Sequence, residues 1–128
     1  MSRYGEKKEI TEVKANNMTV RQIAEELRLR VYTGKTNLDM QVSGAYVSDL
    51  LSDVMGNAGE GEVWVTLQSH MNVVAIASLK ELAAIILVKG IEPDEQVLAK
   101  ANEEGVPILG TSNETFETAG ELFKMLNR

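Results

Sequence analysis

Apolar residues in this chain recur at helical spacing in some segments and form uninterrupted runs, as in buried strands, in others. The first helical stripe follows Thr19, a residue type that caps helices well, and ends near Leu29; its members are Val20, Ile23, Ala24 and Leu27. Residues 1–17 carry no sustained apolar period. They are therefore predicted to be an N-terminal extension that is dispensable for folding, and residues 18–128 to form one domain.

Two long segments have the pattern of strands in the middle of a sheet. EVWVTLQ, residues 62–68, is the clearest strand, and AAIILV, residues 83–88, is apolar throughout, as expected of a parallel strand covered on both faces. Residues 71–79 between them fit a helix or a buried strand by period, and their position between two strands favours a helix. Shorter strands are predicted at residues 30–33, 41–47 and 107–109.

Three further helices are predicted between and after these strands. The first is capped by Ser48 and ends in the glycine-rich residues 56–61; the second runs over 94–104 behind Pro93 and stops at Gly105. The last covers 115–126, with one apolar face made of Phe116, Ala119, Leu122 and Phe123. Alternating helices and strands predict an α/β fold: a single three-layer α/β/α domain with a mainly parallel sheet of about five strands.

Composition is that of one ordinary globular domain and excludes several classes of function. The chain has 128 residues, 44% of them hydrophobic and 25% charged. Its net charge of −6 has the wrong sign for binding nucleic acid or an anionic membrane surface. The absence of cysteine excludes disulfides, thiolate metal sites and a cysteine nucleophile. With no signal-peptide pattern at the start, and charges interrupting the most apolar run, the expected location is cytoplasmic.

Two glycine-containing segments imitate nucleotide-binding loops. Gly34-Lys35-Thr36 lacks the glycine that a phosphate-binding loop has five residues earlier, where this chain has Leu29, and a turn is the better interpretation. The glycines within residues 56–61 precede a strand instead of following one, so they are predicted to connect a helix to a strand. We accordingly expect no cofactor.

Candidate catalytic groups are few. Asp49 and Asp53 stand four apart, which suits either two metal ligands or an acid and base pair on one helix face, or else a solvated pair in which Asp49 is favoured by the helix dipole. His70 is the only histidine, and it is interpreted either as a ligand contact or as a loop or capping residue. A lone histidine makes no zinc site, and no serine-centred hydrolase motif is present. We therefore predict no catalytic and no metal-binding residues.

Polar residues follow several of the predicted parallel strands. In open α/β sheets ligands bind beyond the carboxyl ends of such strands, where loops and helix N-termini present unpaired amides. The connections at the opposite edge, residues 56–61 and 104–106, contain glycines and acidic residues but few groups that could bind a ligand specifically. The alternative is that the polar residues only cap helices. The predicted ligand-binding residues are Ser48, Asp49, Gln68, Ser69, His70, Asn72, Thr111 and Ser112.

Residues 39–54, DMQVSGAYVSDLLSDV, resemble the DRTGG domain family, and the likeness extends over about residues 18–127, most specifically through EVWVTLQSHMNVVAIASLKELAAIILVKG. In the motif that names the family Asp39 and Gly44 agree, while Met40 replaces arginine, Ser43 replaces threonine and Ala45 replaces the second glycine. The missing arginine removes the anion contact that the motif would imply. Ala45 adopts a positive φ less readily than glycine does.

The resemblance implies a regulatory role. Such domains occur alone, fused to CBS domains in nucleotide-regulated pyrophosphatases, or fused to phosphotransacetylases, and their fold is similar to the N-terminal domain of HPr kinase/phosphorylase. Kinase activity is not implied, because the catalytic phosphate loop lies in the other domain of that enzyme. The function expected is thus a non-catalytic module that dimerises, or senses a small metabolite or nucleotide, or binds a partner protein. The alternative is a small enzyme of unknown substrate that uses His70 and Asp49.

The expected oligomer is a homodimer. It rests on the family resemblance and on the apolar content of residues 71–88, which is high for what one small domain can cover.

Overall fold

A computed structural model describes residues 18–128, so the prediction for the extension over residues 1–17 lies outside the described residues. Helices and strands alternate along the described chain, and one turn of 3-10 helix, Lys35–Asn37, precedes the second strand. In order, the elements are α1 (Val20–Glu26), β1 (Arg30–Val31), β2 (Gly44–Val47), α2 (Leu51–Asn57), β3 (Glu62–Thr66), α3 (Met71–Leu79), β4 (Ala84–Leu87), α4 (Glu95–Glu104), β5 (Ile108–Gly110) and α5 (Thr115–Leu126).

The strands form one sheet in the order β1-β5-β4-β3-β2. β2, β3, β4 and β5 are parallel to their neighbours, whereas the two-residue β1 runs antiparallel to β5, with Arg30 opposite Gly110. The predicted α/β fold with a mainly parallel sheet is confirmed. Because four strands point the same way, the loops that follow them gather at one edge of the sheet, called here the carboxyl edge, and the loops that precede them at the amino edge.

Helices cover both faces of the sheet and produce two cores. Successive side chains of a strand point to opposite faces, so Val63 and Val65 of β3 enter one core and Trp64 enters the other. The first core lies under α1 and α5, and the second under α2, α3 and α4. The AIIL segment of β4 is buried completely, as its apolar run predicted. The three-layer arrangement is therefore confirmed.

Several helix boundaries are where the sequence predicts them. Thr19 caps α1: its side chain accepts a hydrogen bond from the Gln22 backbone, and the Gln22 side chain accepts one from the Thr19 backbone. Asp94 caps α4 through the Val97 N–H, and Gly105 ends that helix in the left-handed conformation with φ +72°. The segment over residues 71–79 is a helix, as its position between two strands favours.

The prediction that Ser48 caps α2 is wrong. The helix begins at Leu51 with Leu50 at the N-cap position, and Leu50 supplies no side-chain hydrogen bond to it. Consequently Asp49 precedes the helix and shares no helix face with Asp53, which is the acidic residue of the first turn. The predicted strand over residues 41–47 is also shorter, since pairing with β3 begins only at Gly44.

The predicted apolar face of α5 is wrong in part. Leu122 is buried together with Thr118 and Met125, but Phe116 is 88% exposed and Phe123 is 69% exposed. One helix face holds the core contact and the two phenylalanines lie on the other. Apolar periodicity does not distinguish the two faces when both carry apolar residues.

Gly34 serves a turn, as predicted, and not a phosphate-binding loop. Its φ of +74° lies in the left-handed region, and a Cβ there would stand 2.4 Å from Pro107 Cα. Its N–H donates to the Asn102 side chain at 3.2 Å. Conformation and close approach both require glycine. Within residues 18–128 no helix is long and apolar enough to span a membrane.

Candidate functional site

Asp49 joins the loops that follow β2 and β3. Its Oδ1 accepts hydrogen bonds from the Thr66 hydroxyl at 2.8 Å and from the Leu67 N–H at 2.7 Å. The Gln68 side-chain amide donates to the Asp49 carbonyl at 3.1 Å, and the Gln68 N–H donates to the Thr66 hydroxyl at 3.0 Å. Two predicted site residues, Asp49 and Gln68, are thus brought together. Thr66, which organises them, was missed because a threonine inside a strand gives no signal of its own.

Ser48 lies beside a second carboxylate of the same edge. Its carbonyl accepts a hydrogen bond from the indole N–H of Trp64 at 2.8 Å, and its hydroxyl accepts one from the Leu50 N–H at 3.1 Å. Asp53 accepts from the Tyr46 hydroxyl at 2.9 Å. Hydrogen bonds from Ser48 first, and then from Tyr46, hold the pKa of Asp53 below its ordinary value. Asp53 is therefore a hydrogen-bonded carboxylate, and its lowered pKa makes it a weak general base.

His70 caps α3. It occupies the N-cap position in extended conformation, and its Nδ1 accepts a hydrogen bond from the Asn72 N–H at 3.1 Å. Ser69, immediately before it, is half-buried, and Asn72 is exposed. Of the two interpretations of His70, the capping role is the one present in the structure.

Thr111 and Ser112 lie in a separate group at the same edge. They follow β5, which β4 separates from β3. The loops after β4 and β5 bind each other through the Gly90 N–H to the Thr111 carbonyl at 2.9 Å and the Lys89 N–H to the Asn113 carbonyl at 2.8 Å. Lys89, at the C-terminal end of an apolar run, was missed by sequence reasoning although it places a cation at this edge.

The amino edge carries a groove that the sequence analysis did not assign. Its volume is about 320 Å³, and it is lined in part by three carboxylates, Glu60, Glu81 and Glu104. Glu104 accepts a hydrogen bond from the Ser78 hydroxyl at 3.0 Å and pairs with Lys100 at 3.2 Å. The Lys100 hydrogen bond, followed by that of Ser78, lowers the pKa of Glu104. The groove is acidic at neutral pH.

The family motif lies at the amino edge, opposite the predicted ligand site. Asp39 forms a 2.9 Å ion pair with Arg21, and the hydrogen bond and charge of that guanidinium lower the pKa of Asp39. The Ser43 hydroxyl donates to the Glu60 carbonyl at 2.8 Å. Gly44 and Ala45 then open β2. In this chain the motif residues stabilise the segment that leads into β2, the strand at one end of the sheet.

Among residues 18–128, no three histidine, aspartate or glutamate side chains are grouped so that they could hold a metal ion. The polar groups of the carboxyl edge instead bind one another. This edge combines loop amides and hydroxyl groups with Lys89 and the carboxylates of Asp49, Asp53 and Glu114.

The chain shares its fold with a solved structure and its sequence pattern with a known family. The chain is similar in structure to the CBS and DRTGG domains of the regulatory region of Clostridium perfringens pyrophosphatase, solved with its activator diadenosine tetraphosphate. The two share 13% identity with a TM-score of 0.70 over 91% of this chain, which spans 50% of that one. No curated protein matches. The sequence model of the DRTGG domain matches residues 22–125, and the chain therefore belongs to the DRTGG domain family.

Proposed function

We propose that this protein is a non-catalytic, cytoplasmic regulatory module that senses a small metabolite or nucleotide and acts as a homodimer. The observation that carries the proposal is membership of the DRTGG domain family. The pyrophosphatase of similar fold has such a domain in a regulatory region whose activator is a dinucleotide. A role in reporting a metabolic state to another protein follows from the same analogy.

The enzymatic alternative is weakened by what its two residues do. Asp49 is bound through Oδ1 to the Thr66 hydroxyl and the Leu67 N–H, and His70 uses Nδ1 to cap α3. These contacts engage one acceptor atom of each side chain in holding the local structure. Both residues instead have a structural task that accounts for their presence.

For the ligand we propose the carboxyl edge, at the residues predicted from the sequence. A nucleotide is anionic, and the groove at the amino edge presents Glu60, Glu81 and Glu104, which would repel it. The carboxyl edge has Lys89, which pairs with Glu114 at 3.8 Å, and it also carries the carboxylates of Asp49 and Asp53, so charge alone does not select this edge. The carboxyl edge is preferred because ligands of open α/β sheets bind beyond the carboxyl ends of parallel strands, where this chain has the polar residues predicted from the sequence.

The family resemblance still supports a homodimer, but the apolar content of residues 71–88 no longer does. Most of the apolar side chains of that segment are buried inside this domain, and Leu79 is the large one left exposed. Exposed apolar side chains occur elsewhere instead. They are Met40, Val47, Leu50, Met55, Phe116 and Phe123.

A thermal-shift panel of nucleotides, diadenosine tetraphosphate among them, and of central metabolites tests the sensing function. A ligand at about 100 times its Kd stabilises the fold by about 2.7 kcal/mol, which corresponds to a rise in Tm of several degrees. NMR shift changes should then fall on residues 68–72 and 111–112. Changes confined to the amino-edge groove would show that the site is misplaced, and a panel without any stabilising compound would contradict the sensing function.

A further inference from the structure

The outer face of α5 carries an apolar surface that its own domain does not cover. Phe116, Gly120 and Phe123 stand at i, i+4 and i+7 and so share one side of the helix. They lie opposite the buried face of Thr118, Leu122 and Met125. Phe116 and Phe123 are 88% and 69% exposed, the most exposed large apolar residues of the described chain. Aromatic side chains in this state are typical of protein interfaces.

Gly120 has no explanation within the domain. It lies in the middle of a twelve-residue helix, where glycine costs stability relative to alanine. A Cβ at this position would meet nothing within 4 Å, and its φ is not in the left-handed region. Neither close packing inside the chain nor backbone conformation requires glycine here. A glycine between two exposed aromatic residues leaves a hollow that admits a second helix at short distance.

The charges around this face are complementary to those of a second copy of the same helix. When two α5 helices face each other antiparallel about a two-fold axis at Gly120, residue 120−n of one copy meets residue 120+n of the other. Residues 116 and 117 of one copy thus lie level with residues 124 and 123 of the other, and the helix side selects the partners: Phe116 lies beside Phe123 of the second copy on the facing side, and Glu117 beside Lys124 of the second copy on one flank. Both pairs occur twice. With parallel helices, residues of equal number lie at the same level instead, so Glu117 and Lys124 of the second copy are about two helical turns apart and do not meet.

We propose that the homodimer forms through α5, with Phe116, Gly120 and Phe123 at its centre and the Glu117–Lys124 pairs at its border. This deepens the dimer named in the proposed function and depends on it. The geometry assigns an isologous interface in which two aromatic pairs are buried around a glycine contact. Because α5 begins at the carboxyl edge, the variants are placed at Gly120 and Phe123, in its later turns, so that ligand sensing and dimer formation remain separate tests.

Light scattering of the full chain tests the surface. The wild type at about 100 μM should have twice the chain mass of 14.1 kDa. Phe123→Glu should reduce it to one chain, because a charge replaces an aromatic contact made twice in the dimer. Leu79→Glu is the matched control, since Leu79 is 67% exposed on α3 and its substitution should leave the mass doubled. A wild-type monomer would contradict both dimerisation and this surface; a wild-type dimer that persists in Phe123→Glu would contradict the surface alone.

A cross-link tests the two-fold axis without disturbing the apolar contacts. The chain contains no cysteine, so Gly120→Cys introduces one thiol, which meets its counterpart at the axis. A disulfide needs Cα atoms roughly 4.4–6.8 Å apart. Under mild oxidation Gly120→Cys should become a covalent dimer that a reductant splits. Gly56→Cys, also in a helix with open space around it, should remain a single chain. Equal cross-linking of the two variants would overturn the assignment of the axis.

Discussion

Thr66 donates a hydrogen bond of 2.8 Å from its hydroxyl to Oδ1 of Asp49, and this contact connects the end of β3 to the loop after β2. Thr66 is only 1% exposed, whereas Asp49 is exposed. A buried hydroxyl without an acceptor is costly, so the carboxylate satisfies a need of the fold. Polar residues at the carboxyl edge of this sheet thus serve first to hold adjacent loops together.

Replacing Asp49 should reduce the stability of the folded domain. Asp49→Ala removes the acceptor of two hydrogen bonds and should lower the free energy of unfolding by about 1–3 kcal/mol. Asp49→Asn keeps an oxygen at the same place and should lose less. Urea denaturation measures both. Equal stability of Asp49→Ala and the wild type would contradict the structural role of this carboxylate.

Gly34 should tolerate no side chain. Gly34→Ala combines a left-handed φ of +74° with a Cβ placed 2.4 Å from Pro107 Cα, so the backbone of one of the two segments must move. Gly90→Ala is the matched control, since φ is +75° but nothing lies within 4 Å. The control should lose only the conformational cost, roughly 1–2 kcal/mol, and Gly34→Ala clearly more. Comparable losses in the two variants would refute the close approach to Pro107.

His70 should behave as a capping residue. His70→Ala removes the acceptor of the Asn72 N–H and should cost about 1 kcal/mol, while His70→Asn supplies a side-chain oxygen suited to the same position. Thermal denaturation compares the two variants. Stability of His70→Asn close to the wild type supports capping, and a loss as large as that of His70→Ala would speak against it.

Glu62 should give the protein a measurable pH dependence. Its Oε1 accepts the Gly59 N–H at 2.7 Å, and burial raises the pKa of this carboxyl above its ordinary value of 4.5, with the Gly59 hydrogen bond and then the Lys80 charge opposing. The folded state then binds the proton more tightly than the unfolded chain does. The contribution of Glu62 to stability therefore decreases as the pH rises from about 4.5 through the raised pKa.

Stability curves of Glu62→Gln measured between acidic and neutral pH test this sign. The variant cannot titrate but keeps an oxygen for the Gly59 N–H, so its stability relative to the wild type should increase as the pH rises. Glu62→Ala should show the same change in slope at a lower overall stability, because it also loses the acceptor. A difference between variant and wild type that does not change with pH would contradict the raised pKa.

Most of the fold could be predicted because its signals are local. The capping residues Thr19 and Asp94, the left-handed stop at Gly105 and the apolar run of β4 each determine structure within a few residues. The start of α2 could not be predicted, since Ser48 is a good capping residue in isolation but binds Trp64 and lies beside Asp53 through tertiary packing. The exposed face of α5 was missed for a similar reason, because periodicity identifies a face and not its partner.

The sequence could predict which edge of the sheet carries the polar residues, but not which of them are in contact. Strand order brings Asp49 and Gln68 together, and it separates them from Thr111, which a linear reading of strand ends does not show. The groove at the amino edge arises from side chains distant in sequence, among them Glu60, Glu81 and Glu104. No sequence pattern connects those three positions. Only the folded sheet brings them to one edge.

The most direct test of a sensing, non-catalytic role is to follow one stabilising compound through both binding and turnover. The compound with the largest Tm increase is incubated with a stoichiometric amount of protein for many hours and then quantified by mass spectrometry. The account predicts a Tm increase of several degrees that saturates with concentration, and complete recovery of the unchanged compound. Conversion of the compound by the protein would contradict it, and loss of that conversion in His70→Ala would favour the enzymatic alternative.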